Sequence, residues 1–374
     1  MTSCFHSIEA DGIRVELDLD VGHIRSLEID VGKRRLTPLH TAPWIEESPI
    51  VDDPSIAAGL KYLSGDFFCA PFCASDVEEA PPHGWPANGR WEFAGQKVDG
   101  GGVTARFVLA RLVMGARVVK EITLRNGHPF VYQCHTFEGG SGAISAASHA
   151  MTRFQGKGRL SFSAKAFAET PDTPQESDPE RGRSLFARSA RVTDLARLPL
   201  ADGGTVDLHD FPVADEHEDF VMLVEAAGSP VGWAAAARAD THDIVLSLKN
   251  PAEYPVTFLW FSNGGRYYPP WNGRHRGVLG MEEGRAWSSY GHAASIAPNP
   301  LSDMGVPTSL ALAPGRSVGL RHVIGGVPLP AAWSGVAAVE AADGALRITG
   351  DDGSMAEHPY DAGFLTAMRP RARF

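Results

Sequence analysis

Residues 13–31 read IRVELDLDVGHIRSLEIDV. Ile13, Val15, Leu17 and Leu19 alternate with Arg14, Glu16, Asp18 and Asp20. In an extended chain this period of two puts one apolar row on a core and one charged row in water, the pattern of a half-buried antiparallel strand. Gly22 interrupts, and HIRSLEIDV (His23–Val31) follows closely enough to fold back as a hairpin. Working outward, the same rhythm recurs in VTARFVLARLV (103–113), RVVKEITLR (117–125), PFVYQCHTF (129–137), RLSFSAKAF (159–167), DIVLSLKN (243–250) and YPVTFLWF (254–261). SLALAPGRSVGLRHV (309–323) reads as two strands around a Pro314-Gly315 turn. These segments predict an all-β chain built as a large sandwich of antiparallel sheets.

The 40 glycines and 27 prolines among 374 residues suit many short strands joined by tight turns. One short helix is expected near residues 54–62, with Asp53 as N-cap and Pro54 in the first helical position. Glu169–Arg183 (ETPDTPQESDPERGR) has no apolar residue and three prolines, so it reads as a long exposed loop. The strand rhythm resumes on both sides of it and no repeat of 20–50 residues is visible, so the chain 1–374 is read as one domain. A net charge of −11 leaves no electrostatic footprint for nucleic acid or an anionic membrane, and no apolar run reaches membrane-spanning length. The start, MTSCFHSIEADG, lacks the layout of a secretory signal, and Cys4, Cys69, Cys73 and Cys134 are too few to staple this chain. The expectation is a cytoplasmic protein. Cys69 and Cys73 fit neither a redox pair nor a zinc site and read as buried thiols.

Three polar-aromatic clusters stand out. PPHGWPANGRWEF (81–93) packs His83, Trp85, Asn88, Arg90 and Trp91 into a loop; it serves either as a site or as a plug that buries its two tryptophans. In SAASHAM, His149 follows a run of small residues that leave space around an imidazole. Residues 258–292 gather Trp260, Tyr267, Tyr268, Trp271, Trp287 and Tyr290 around Gly-rich turns, and include GMEEG, where Glu282 follows an apolar run. A carboxylate there is costly to bury unless hydrogen-bonded or used, while Glu282 and Glu283 beside Arg285 also fit a solvated strand end. Rings, a histidine and a glutamate on loops at a sheet's mouth suit a carbohydrate, whose C–H faces stack on aromatics and whose hydroxyls need polar partners.

At these residues the chain resembles the galactose mutarotase-like superfamily, the aldose 1-epimerases and related hexose-6-phosphate 1-epimerases. HGWPANGRWEF is similar to the family's HGFARNRPWEV pattern, with His83, Gly84, Asn88, Trp91 and Glu92 in matching places. LGMEEG is similar to the late GLEP-type motif, SHAM sits where the family keeps a second histidine, and APGRS resembles its closing turn. The resemblance spans most of the chain and implies a β-supersandwich. Two departures stand out. Ala87 replaces the Arg of HGFAR, which removes a candidate phosphate contact and leaves Arg90, Arg266, Arg274 and Arg276 as substitutes. Glu283 replaces the Pro of GLEP.

What the resemblance implies is an isomerase that interconverts the α and β anomers of a small-molecule sugar without metal or cofactor. Glu282 would be the base and His149 the acid, with His83 orienting the sugar or stabilising developing charge. Asp66 and Asn88 are candidate hydroxyl ligands, and Trp260 and Trp271 candidate stacking platforms; Asp66, in SGDFFCAPFC, equally suits an ordinary turn before a buried strand. His275 and His292 are expected on a rim loop without a role. The alternative is a non-catalytic sugar-binding or sugar-sensing protein on the same scaffold.

Overall fold

A computed structural model describes residues 4–366. The opening hairpin forms as its alternation predicts. Ile13–Asp18 pairs antiparallel with His23–Val31, and Ile13, Val15, Leu17 and Leu19 are buried. Asp18, on the opposite face of the strand, is buried as well, and its carboxylate accepts a hydrogen bond from the Asp20 amide at 2.9 Å; the register shift beside it skips Arg25 on the partner strand.

Two large antiparallel sheets dominate, one of eleven strands and one of nine. Phe5–Ala10 flanks the hairpin as the edge strand of the first sheet, which continues on the hairpin's other side through Asp66–Cys69, Ala146–Arg153, Val278–Arg285, Val256–Asn263 and His217–Glu225. The second sheet is built around Ala116–Arg125, Phe130–Gly139, Ser317–Pro328, Asp243–Lys249 and Gly232–Arg238. Apolar side chains of the hairpin meet Phe107, Ile122, Leu124 and Phe137 of the second sheet, forming a core between the layers. A further three-stranded sheet (Val336–Ala342, Ala345–Gly350, Met355–Pro359) packs on Phe130, Trp233 and Leu246 of the nine-stranded one.

Several local expectations change. RLSFSAKAF breaks after Phe162: Gly158–Phe162 belongs to the nine-stranded sheet and Lys165–Glu169 to the eleven-stranded one, so the chain crosses between layers there. The strands flanking Pro314-Gly315 do not pair with each other. Leu310–Leu312 pairs with Gly142–Ile144, and Ser317–Pro328 inserts between Asp243–Lys249 and Phe130–Gly139. The helix expected near 54–62 is a single turn, Ala58–Lys61, whose N-cap position is Ala57 rather than Asp53, and a separate turn, Ser48–Val51, precedes it. Asp53 instead turns its carboxylate onto Ser55, accepting from the amide at 2.8 Å and the hydroxyl at 2.7 Å. The 169–183 segment is a mostly exposed loop, as expected. No helix among the described residues is long and apolar enough to cross a membrane.

Candidate active site

Around its central strands the eleven-stranded sheet is covered on both faces, so every residue of Val256–Asn263 and nearly every residue of Val278–Arg285 is buried. On the face turned away from the nine-stranded sheet lies a cavity of ≈250 Å³. Its floor is this sheet, and its walls come from residues 57–63, from the loop 82–88 and from the turn carrying Arg266 and Trp271. That volume lies just under the roughly 300–1,000 Å³ of ordinary ligand clefts, room for a small molecule of about one ring.

Strand pairing builds the polar centre. His149 is the direct cross-strand partner of Glu282, and their side chains meet at 3.1 Å between Nε2 and Oε1. On its other side His149 pairs with Phe67, whose ring stacks on the imidazole at 4.3 Å and in turn stacks on His23 at 4.4 Å. Trp260 stands edge-on to His149 at 5.4 Å. The small residue in LGMEEG has a packing reason: a Cβ on Gly280 would lie 2.4 Å from Glu282 Oε1 and 3.1 Å from Trp260 Cβ.

His83 completes a triangle, its ring 5.7 Å from that of His149. The loop that carries it is knitted through backbone bonds from the His83 amide to Cys73 carbonyl and from the Ala70 amide to His83 carbonyl. Gly84 follows at φ +72°, where a Cβ would fall 1.9 Å from the Ala70 carbonyl oxygen.

Electrostatically the centre is close to neutral. Burial, and then the charge of Glu283, push Glu282 well above the usual carboxylate range. Burial pushes His149 well below its ordinary value, with His83 adding to the effect, and lowers His83 itself to about 4. The His149–Glu282 pair therefore holds one proton between Nε2 and Oε1. Neither His149 Nδ1 nor Glu282 Oε2 has a hydrogen-bond partner among the described residues. Two adjoining groups sharing one proton in an apolar cavity can give a proton to one atom of a ligand and take one from its neighbour.

The structure brings Glu282, His149, His83, Trp260, Trp271 and Asn88 to this cavity. Asn88 does so with its amide already committed: Nδ2 donates to the carbonyls of Pro82 and Gly84, and Oδ1 accepts from the Gly59 amide. It braces the wall and has little left for a ligand. Asp66 lies elsewhere. The strand alternation that turns Phe67 into the cavity turns Asp66 between the sheets, where its carboxylate accepts from Gln133 Nε2 at 2.5 Å and faces His322.

Glu283 is not a solvated strand end. It is fully buried between the sheets, 2.6 Å from Lys249 Nζ and accepting from Thr257 and Ser247 at 2.8 and 2.9 Å. His275 and His292 are buried as well and do not occupy a rim: His275 bonds Ser262 Oγ at 2.7 Å behind Trp260, and His292 Nε2 donates to the Ala143 carbonyl. Cys69 is buried, whereas Cys73 is half-buried and lines the cavity, with burial pushing its thiol upward.

Residues without a chemical signature in the sequence also take part. Leu60, Leu63, Phe72 and Phe220 form apolar wall, and Gln175 reaches in from the long loop. Glu218 lies beneath Trp260, accepting its indole N–H at 2.5 Å and the Ser262 hydroxyl at 2.9 Å. Arg266 is the one arginine of the four candidates that lines the cavity. Arg90, Arg274 and Arg276 pair elsewhere with Asp20, Glu47 and Glu216.

Compared by sequence, the chain matches no protein-family model and no curated protein. Compared by structure, it is similar to a provisionally named aldose 1-epimerase from Escherichia coli K12, with a TM-score of 0.58 at 12% identity over 87% of this chain and 99% of that one. A galactose mutarotase related enzyme from Lactobacillus acidophilus gives 0.51 at 11% identity, over 88% and 99% of the two chains. A provisionally named mutarotase from Salmonella typhimurium gives 0.52 at 11%, over 86% and 90%. Likeness at such identities speaks for architecture, and together with the two large antiparallel sheets it shows that this chain has the galactose mutarotase-like fold.

Proposed function

We propose that the protein interconverts the anomers of a monosaccharide. The observation that carries this reading is the 3.1 Å contact between His149 Nε2 and Glu282 Oε1, set in a monosaccharide-sized cavity walled by aromatic rings. Anomerisation exchanges protons at two oxygens on one carbon, the C1 hydroxyl and the ring oxygen, so its two proton carriers must themselves be neighbours.

The single proton of the pair has two arrangements, a carboxylate with an imidazolium or a carboxylic acid with a neutral imidazole. From the first, Glu282 takes the C1 hydroxyl proton while His149 protonates the ring oxygen. The C1–O5 bond breaks, an open-chain aldehyde forms and the pair is left neutral. After rotation about C1–C2 the neutral pair runs the step backwards: Glu282 returns a proton to O1, His149 takes the O5 proton, and O5 attacks the other face of C1. Burial favours the neutral arrangement in the empty cavity, and the hydroxyls of a bound sugar favour the charged one. His83 orients the sugar, and Trp260 and Trp271, ring planes 85° apart, offer a stacking face and a perpendicular wall.

The test is NMR anomer exchange with freshly dissolved aldoses. Acceleration of mutarotation for at least one sugar of a broad panel is expected. Binding without acceleration across the panel refutes catalysis and leaves a sugar-binding protein.

A further inference from the structure

Arg266 brings a positive charge to a cavity whose other titratable walls are held neutral by burial. Its guanidinium lies over the Trp271 ring, 4.6 Å from the centroid, and touches Glu218 Oε1 through Nη1 at 3.4 Å. That contact does not use the arginine up. Glu218 Oε1 already accepts the shorter bond from Trp260, Oε2 accepts from Ser262, and Arg266 Nε, although buried, has no acceptor among the described residues. A guanidinium that lines the cavity, lies over an indole and makes only one long ion-pair contact keeps N–H donors for a planar anion.

From these observations we infer that the sugar carries one negative charge, a carboxylate at the carbon outside the ring as in a hexuronate, and that Arg266 is the residue selecting it. The inference rests on the anomerase reading of the same cavity. Trp260 links the two groups: its ring stands edge-on to His149 at 5.4 Å, while its Nε1 donates to the Glu218 carboxylate that touches Arg266. The proton-transfer pair and the cation thus line the same cavity with this indole, so a ring seated at the pair leaves its exocyclic substituent within the same enclosure as the guanidinium. Charge count favours a monoanion over a phosphate. Among the described residues one cation lines the cavity, a buried carboxylate stands behind it, and the arginines that would have shared a dianion are paired with Asp20, Glu47 and Glu216 outside it.

The test uses the full-length protein, with calorimetric binding and NMR anomer exchange measured in parallel on glucuronate, galacturonate, glucose, galactose and glucose 6-phosphate. The wild type is expected to bind a uronate at least ~10-fold more tightly than the parent hexose and the 6-phosphate, and Arg266→Gln to abolish that preference. Arg266→Lys, which keeps the charge without the planar fork, is expected to retain part of it and stands in if the Gln variant does not fold. Equal or better binding of the neutral hexose, tighter binding of the phosphate, or an unchanged preference in Arg266→Gln overturns the assignment. An Arg266-dependent preference for uronates without accelerated exchange refutes the anomerase reading alone. Accelerated exchange of neutral hexoses with no uronate preference refutes the ligand assignment alone.

Discussion

Glu282 and Glu283 are adjacent and chemically identical, yet conservative amide replacement of each should damage a different property. Glu282 lies in the cavity, neutral and 3.1 Å from His149 Nε2. Glutamine keeps its shape and a hydrogen-bonding edge but carries no transferable acid proton, so Glu282→Gln should lose ~10²–10⁴-fold in turnover, the range for a positioned acid–base group. Because the wild-type carboxyl is already held neutral, its stability should move by less than ~1 kcal/mol. Glu283→Gln removes the 2.6 Å partner of the fully buried Lys249 ammonium and leaves Glu225, at 2.9 Å, as its remaining carboxylate. Breaking a buried pair costs ~3–5 kcal/mol, and the retained Glu225 contact sets the expectation at the lower end. With 374 residues and ~2.1 cal/mol/K per residue, the unfolding entropy near Tm is ~0.8 kcal/mol/K, so a loss of ~3 kcal/mol lowers Tm by ~4 °C. Turnover of the folded Glu283→Gln protein should stay within a few-fold of wild type. NMR anomer exchange reads the first property and scanning calorimetry the second. A Glu282→Gln variant with more than a tenth of wild-type turnover, or a Glu283→Gln variant that loses turnover at unchanged Tm, refutes the assignment of the two faces.

Two further expectations follow from the same geometry. His23 is fully buried, donates through Nε2 to the Ala87 carbonyl and is held at about 3 by burial, so below pH 6.5 the unfolded chain takes up a proton at this residue that the folded one refuses. Its contribution is complete above pH 6.5 and falls away in acid. Relative to His23→Gln, wild type should lose about 2 kcal/mol of stability between pH 7 and pH 5, read by urea titration at each pH; parallel pH profiles of the two proteins refute the reading. Gly280→Ala places a methyl group against Glu282 Oε1 and should cost at least ~10-fold in turnover through misalignment of the pair. A fully active Gly280→Ala protein would show that the carboxylate need not sit where it does.

The strands were legible wherever one face of a sheet is apolar and the other wet, as in Ile13–Leu19, because alternation then reports burial directly. The same signal vanishes at the site. VLGMEEGR is buried on both faces, one by the cavity walls and the other by the second sheet, so its pattern carries no sign of which glutamate faces which layer. Asp66 and Phe67 pose the same ambiguity one strand away, and the polar residue turned out to face the neighbouring sheet. Asn88 was legible as a conspicuous loop residue, but its amide is spent on closing its own loop. Glu218 and Gln175 were illegible for a different reason. Each reaches the site through pairing or loop path far from any motif, Glu218 through its register with Ser262. Among the arginines, composition offered four equivalent candidates, and only the fold separates Arg266, which lines the cavity, from the three that pair with carboxylates outside it.

The Glu283–Lys249 pair also answers why the cavity face holds its register at all. Lys249 comes from the nine-stranded sheet and Glu283 from the eleven-stranded one, so their contact ties the two layers at one point. A slip of Val278–Arg285 by one residue against its neighbours exchanges its faces. Gly284 would then stand where Glu283 now meets Lys249, leaving the buried ammonium without that partner, and Glu283 would be carried into the cavity opposite His149. An apolar residue at 283 would tolerate that slip much better, because the slip would then take no partner away from Lys249. A glutamate there makes the alternative register cost the buried ammonium one of its two carboxylates, ~3 kcal/mol against a total stability of ~5–15 kcal/mol. Glu283 thus acts on the chemistry from the opposite face of the strand, by excluding the arrangement in which Glu282 would not meet His149.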